Sequence, residues 1–357
     1  IICSLFVTGP PRPVISTLSL HDALPIYGSL VRLIYPKRHL AKGFGLNATV
    51  VALASVAGPT ISGAILSVAS WPWLFAVNLP FGVLTFFLAR RYLPGNPTRV
   101  EGRRFDFPSA VLNALTFGLF IGCVEAFSHG LSFRWIVAGV VLLAGIGTVF
   151  VRRQLRQPYP MLPFDLLRIP VFSLSVLTSI LSFTSQMLGM VALPFMFHLT
   201  FGMNAAETGL LMTAWPLVIV VAGPLAGTLA TKIHPGLLGG VGLLLMSVGC
   251  FLLADVSPSV GYGGLVARLM LCGFGFGLFQ SPNNHLLLSS APSYRTGGAS
   301  GMQATARLVG QTTGAALVAL LFYLNGDRAP HAAMWLAGGF TLCGSLVSCS
   351  RLRAHRF

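Results

Sequence analysis

The side chains able to do chemistry are few, and their surroundings are unusual. Gln186, Asn283, Asn284, Arg307 and Gln311 all fall inside long apolar runs. They match no catalytic pattern, because the sequence has no HExxH, no GxSxG and no phosphate-binding loop. Neither an enzyme, a metal site, a cofactor nor an ATP-driven pump is therefore expected. The GFGFG at 273–277 lacks the strand-to-helix setting of a dinucleotide site and reads as a helix-packing surface. Cys3, Cys123, Cys250, Cys272, Cys343 and Cys349 include no CxxC pair and read as small apolar residues.

The placement of charge is more telling. Arg307 lies about 13 Å along a run that begins near residue 299. A buried arginine there costs at least ~2.5–3.5 kcal/mol, so it should face a bundle interior with partners. A structural clamp on carbonyls and a substrate contact both satisfy that requirement. Gln186 and Gln311 sit near mid-run and suit a substrate path or inter-helix hydrogen bonding equally. Asn283 and Asn284 follow Pro282 and are expected at a broken helix end beside the path. His198 and His285 lie near run ends and read as interfacial. Of the acids, Glu101, Asp106, Asp165 and Asp327 are in loops, Glu207 and Asp255 are at run boundaries, and Glu125 is near the far end of its run. No carboxylate is expected mid-membrane, so the chain as it stands is not expected to run proton-coupled antiport.

The elements that must position these residues are membrane helices. The chain is 54% hydrophobic and 9% charged, too little polar surface for a soluble domain, where about 25% is usual. Apolar runs of roughly the 20 residues needed to cross a bilayer occur at 44–66, 73–89, 107–127, 135–151, 171–198, 207–231, 236–254, 264–288, 299–323 and 332–350. Seventeen Lys and Arg fall in the alternate loops and C-terminal tail that share one side, against Arg134 and Arg328 on the other. The positive-inside rule makes the first side cytoplasmic, with the C-terminus there, in a multi-pass cell (inner) membrane protein. The net charge of +15 is spread between apolar runs, which argues against nucleic acid as a partner.

An internal repeat points to the architecture. At a constant offset of 256, GLNAT (45–49) meets GMQAT (301–305), and Ala54-xxx-Gly58 meets Gly310-xxx-Gly314. Trp73, Leu74 and Gly82 match Trp335, Leu336 and Gly344 after a six-residue shift. The copies are eight runs apart, an even number, so they point the same way, as in parallel-repeat transporters. In the first copy Ala54, Gly58 and Ser62 form a small-residue stripe beside Ser55, Pro59 and Gly63. Such stripes allow close helix contact in lipid. Pro59 cannot donate to the Ser55 carbonyl and bends the helix. A packing kink without a transport role would look the same.

These residues carry a resemblance. Ala54-xxx-Gly58-Pro59-Thr60-Ile61-Ser62-Gly63 resembles the antiporter signature of the major facilitator superfamily, gxxxGPxxGG, with Ala and Ser at two glycine positions. WPWLFAVNLPFG (71–82), PYPMLPFDLLR (158–168), FGLFQSPNN (276–284) and ATARLVGQTTGAA (304–316) extend it to the 14-span drug:proton antiporter branch, the multidrug and methyl-viologen exporters. The resemblance implies an all-α integral membrane protein with the major facilitator fold and about ten of fourteen transmembrane helices present. Residues 27–106 would end the N-terminal half, 107–170 would be two extra helices and a linker, and 171–357 the C-terminal six-helix half. It further implies proton-coupled efflux of small hydrophobic or cationic compounds across the lipid bilayer. It places the family's coupling acid in a first span that would precede this chain. Transport of another small solute, or a non-transporting membrane scaffold, are the competing readings. Residues 1–26, with ISTLSLHDALPI, resemble a translated sequencing adapter and read as non-native.

Overall fold

A computed structural model describes residues 70, 72–92, 106–128, 133–157, 160, 162–257, 259–292 and 295–354. It also describes the single positions Gly43, Leu46, Val50, Leu53, Ala54, Ala57, Ile61 and Ile65. Regular structure among them is entirely helical. The helices are α1 (Trp73–Ala76), α2 (Asn78–Tyr92), α3 (Phe107–Ser128), α4 (Phe133–Arg156) and α5 (Pro170–Phe201). They continue as α6 (Ala205–Met212), α7 (Ala214–Leu229), α8 (Pro235–Ala254), α9 (Tyr262–Ser290), α10 (Thr296–Asn325) and α11 (Ala329–Ala354). Of the signature stretch, Ala54 is helical and exposed, whereas Gly58, Pro59, Ser62 and Gly63 lie outside the described residues, as do residues 1–26.

The chain divides into two units, residues 1–23 with 57–106, and residues 24–56 with 107–357. The first holds α1 and α2, whose boundary at Val77 falls just before Pro80, which has no N–H for the Ala76 carbonyl. The second holds α3 to α11. Long apolar stretches at Arg134–Arg156, Pro170–Phe201, Glu207–Leu229, Pro235–Ala254, Tyr262–Ser290 and Thr296–Leu352 are able to cross a membrane, the last containing both α10 and most of α11.

One expectation about helix continuity needs correction, and two runs carry a one-residue interruption, 73–89 at Val77 and 207–231 at Thr213, the second still long enough to span a membrane as Glu207–Leu229. The run at 207–231 is broken at Thr213 into α6 and α7. Pro216 removes the donor that the Met212 carbonyl would need, and the Thr213 hydroxyl turns back to the Leu210 carbonyl at 2.5 Å. Asn204 and Glu207 form a capping box that starts α6. In contrast, α9 runs unbroken from Tyr262 through Pro282 to Ser290, so Asn283 and Asn284 do not mark a helix end. One lost backbone bond inside a long packed helix is tolerated where neighbours cover it.

In the second unit α10 packs on α5, α5 on α11, α11 on α8, α8 on α9, and α9 on α7. Lipid removes the hydrophobic drive between helices, so close packing and buried hydroxyl bonds must hold them. The GFGFG stretch does this on two sides. Gly273 meets the Trp215 backbone of α7, and a Cβ on Gly275 would stand 2.5 Å from the Gly242 carbonyl of α8. The Ser345 and Ser348 hydroxyls of α11 donate to the Gly240 and Gly236 carbonyls of α8, each at 2.8 Å. The Ser185 hydroxyl of α5 donates to the Ala337 carbonyl of α11 at 2.9 Å.

The stretch before α5 forms a 3-10 turn, Phe164–Arg168, at the end of the bundle where α9 finishes and α10 begins. Leu162 and Leu166 are buried with Phe150 of α4, Leu287 and Leu288 of α9, and Ala299 and Met302 of α10. The Leu162 N–H donates to the buried Gln154 Oε1 at 3.1 Å. Asp165 pairs with Arg295.

Candidate transport path between α5 and α10

The closest approach of α10 to α5 is set by two glycines. A Cβ on Gly310 would lie 2.7 Å from the Ile180 carbonyl, and one on Gly314 would lie 2.5 Å from the Thr184 carbonyl. Any larger residue would force the backbones apart. The Gly310-xxx-Gly314 echo of the signature is therefore a helix-packing surface against α5.

That contact fixes the environment of Arg307, one turn before Gly310. Arg307 is exposed, and its guanidinium carbon lies 5.7 Å from the centroid of the buried Phe183 ring of α5. This corrects the expectation of a buried arginine clamped on carbonyls. The glycines turn the adjoining face of α10 onto α5, which leaves Arg307 at the rim of the seam with an aromatic face beneath it.

Gln303, Arg307 and Gln311 recur every fourth residue and so share one face of α10. Gln303 was not singled out from sequence; its i, i+4 spacing from Arg307 is the signal that could have found it. Phe183 could not have been found so, because its role depends on the α5–α10 contact. Gln311 lies near the middle of α10 and Gln186 near the middle of α5, both half-buried. Arg307, Gln186, Gln303 and Gln311 hydrogen-bond to no described residue, whereas the Thr184 and Ser185 hydroxyls beside Gln186 both donate to carbonyls. Glutamines acting as inter-helix ties would have found partners.

Asn283 behaves differently. It is 1% exposed, and its Nδ2 donates to the Ser179 Oγ of α5 at 2.8 Å, so it ties α9 to α5 and does not line an open path. Asn284, its neighbour, is half-buried. His198 sits in the last turn of α5 with Nδ1 3.1 Å from the Met203 carbonyl, an end position as expected.

The described carboxylates keep away from the helix middles. Glu207 caps α6, Asp255 is the C-cap of α8, Asp327 lies in the turn before α11, Asp106 precedes α3, and Asp165 is in the linker turn. Hydrogen bonding to Arg295 and its positive charge hold the Asp165 carboxyl below its usual range, against a smaller opposing effect of burial. Among the described residues no cluster of His, Cys, Asp or Glu could hold a metal ion.

A membrane-crossing helical bundle with an unpaired polar stripe along a glycine-tight seam is the construction of a solute transporter. The chain belongs to the Major Facilitator Superfamily, whose family profile matches residues 23–315 and again 174–355. It is 50% identical over 328 residues to the uncharacterized transporter YebQ of Escherichia coli, covering 92% of this chain and 72% of YebQ. It is 26% identical to the riboflavin transporter RibZ of Clostridioides difficile, covering 81% of this chain and 62% of RibZ. With the multidrug resistance protein Stp of Mycobacterium tuberculosis it shares 27% identity, covering 85% of this chain and 57% of Stp. The chain thus spans less than two thirds of the length of RibZ and Stp. A POT family transporter crystallised with a thioalcohol-conjugated peptide shares the fold at a TM-score of 0.60 and 16% identity, covering 92% of this chain and 72% of that one.

Proposed function

We propose that this chain forms the greater part of a secondary exporter that moves small hydrophobic drug-like compounds across the cell (inner) membrane in exchange for protons. In this reading 27–106 closes the N-terminal half, 107–170 supplies an extra hairpin and linker, and 171–357 is the C-terminal half. The basic loops and the C-terminus face the cytoplasm. One observation supports the reading most: Gln186 and Gln311 near mid-helix, with Arg307 and Gln303 one and two turns before Gln311, are polar and without hydrogen-bond partners among the described residues. Unsatisfied polar groups persist in a bilayer only beside water or a ligand. The similarity to Stp favours drug efflux, and the similarity to RibZ favours a second reading, transport of a flat aromatic nutrient.

The proton-carrying group is not among the described helix middles, so coupling depends on residues elsewhere in the transporter. A cationic head group would also need a carboxylate beside the path, and the described residues place none near the middle of α5 or α10. Expression of the gene in a bacterial strain stripped of its own exporters tests the reading. Hydrophobic antibiotics and dyes should become less toxic and accumulate less, and should re-accumulate on adding a protonophore. Unchanged accumulation across a broad panel, with the protein present in the membrane, would sink it.

A further inference from the structure

From the charges along the seam we infer that Arg307 is an anion-binding residue of the transport path, and that the compounds held there are amphipathic molecules bearing a carboxylate or similar planar monoanion. The inference rests on the path reading above and replaces the expected cationic substrate with one of opposite sign.

Three observations carry it. First, Arg307 is exposed, and among the described residues its guanidinium contacts the Phe183 ring, 5.7 Å away. A cation–π contact uses none of the guanidinium N–H donors, and none of them is hydrogen-bonded to a described residue. Those donors form the fork that takes a carboxylate through two parallel hydrogen bonds. Second, Gln303 and Gln311 flank Arg307 one turn away on either side, adding amide donors and no charge. Third, among the described residues no carboxylate pairs with Arg307. Inside the helices α5 to α11 the ionised side chains are Arg268 of α9, Arg307 of α10, Arg351 and Arg353 of α11, and Glu207 in the first turn of α6. Glu207 is engaged with its own helix cap through the Asn204 N–H. An uncompensated excess of one sign favours binding of the other.

The aromatic shelf adds a shape requirement. Phe183 contacts Phe276 of α9 edge to face, with ring centroids 5.6 Å apart. An aromatic acid can therefore place its carboxylate on Arg307 while its ring lies against apolar side chains. A permanent cation at the same place meets a like charge.

The test uses the full chain in nanodiscs of zwitterionic lipid and three matched probes: 2-naphthoate, neutral 2-naphthamide and 2-naphthylmethylammonium. Equilibrium binding at pH 7 should rank naphthoate tightest, about tenfold or more over the ammonium probe. Arg307→Gln should remove that preference and leave naphthamide binding within about twofold. Should that variant fail to fold, Gln311→Glu sets a carboxylate one turn from Arg307 and should abolish the preference by neutralisation. Equal binding of the acid and the ammonium probe by the wild-type chain overturns the inference, as does a preference that survives both substitutions. The measurement involves no transport. Charge-blind binding therefore sinks this inference alone, whereas absent efflux in cells sinks the export reading alone.

Discussion

Replacing Gly314 by alanine should destabilise the bundle, although alanine is the better helix former by about 1 kcal/mol. The added Cβ would stand 2.5 Å from the Thr184 carbonyl and 2.8 Å from the Met187 Cβ, both fixed to the α5 backbone. No flexible side chain can swing away, so α10 must retreat by roughly half an ångström or more along the seam. Overpacking of this kind costs about 1–3 kcal/mol. At about 2–4 °C per kcal/mol, the midpoint of thermal unfolding should fall by roughly 2–12 °C. Gly339→Ala in α11 is the control, because a Cβ there meets nothing within 4 Å. That substitution should be neutral or raise the midpoint. Both variants can be followed in one detergent by intrinsic fluorescence on heating. If Gly314→Ala proves as stable as Gly339→Ala, the glycine-determined seam is wrong, and with it the placement of Arg307 over Phe183.

Four further outcomes follow from other parts of the bundle. Gln311→Leu should leave thermal stability unchanged or raised while lowering efflux or ligand binding, because Gln311 has no partner to lose; a midpoint lowered by several degrees would restore its role as an inter-helix tie. Asn283→Ala should do the reverse, costing about 0.6–2 kcal/mol through loss of the bond to Ser179, with the charge preference of binding intact. Gly202 ends α5 with φ of 64°, so Gly202→Ala should cost about 1–2 kcal/mol, seen as a lower midpoint with no change in ligand preference. Asp165→Asn should weaken the linker by no more than about 1 kcal/mol at pH 7, because the pair is partly exposed. The folded-state carboxyl is held below its unfolded value of about 3.9, so its contribution is present above that pH and is lost as pH falls through the lowered value. The gap between wild type and Asp165→Asn in a melting series should therefore close at low pH; a gap that widens there would contradict the pairing with Arg295.

Much of the bundle was legible in the sequence because membrane helices announce themselves by apolar length alone. The runs expected at 171–198, 236–254 and 299–323 are α5, α8 and α10, each slightly longer than expected. Extension at the ends is natural, since helices continue past the hydrocarbon until a cap such as Gly202 stops them. Glycine spacing was legible too, because in lipid it has few uses besides close contact, and both Gly310-xxx-Gly314 and GFGFG prove to be contacts. Proline was ambiguous for a physical reason. Pro216 breaks the 207–231 run near its start, where few bonds hold the short α6, whereas Pro282 is carried within α9 because packing on several sides covers the lost bond. Burial of a named polar residue was not legible at all. Asn283 and Arg307 both sit in apolar runs, yet one is enclosed and the other exposed, and only the order in which helices pack decides which.

That difference bears on how a membrane helix bundle can be both stable and polar inside. The Thr184, Ser185, Ser345 and Ser348 hydroxyls all donate to backbone carbonyls, so each satisfies itself without demanding a cavity. An amide or a guanidinium has too many donors for one carbonyl and cannot be quieted this way. Where such a group is needed only for packing, it is given a specific partner, as Asn283 is given Ser179. Where it has none among the described residues, another part of the chain, water or a bound molecule must satisfy it. Glycines at 310 and 314 make this arrangement possible, because they hold α10 against α5 by backbone contact without needing hydrogen bonds from Gln303, Arg307 or Gln311. The packing glycines and the polar residues thus occupy neighbouring positions of one helix, and substitutions in the two sets should separate folding from binding.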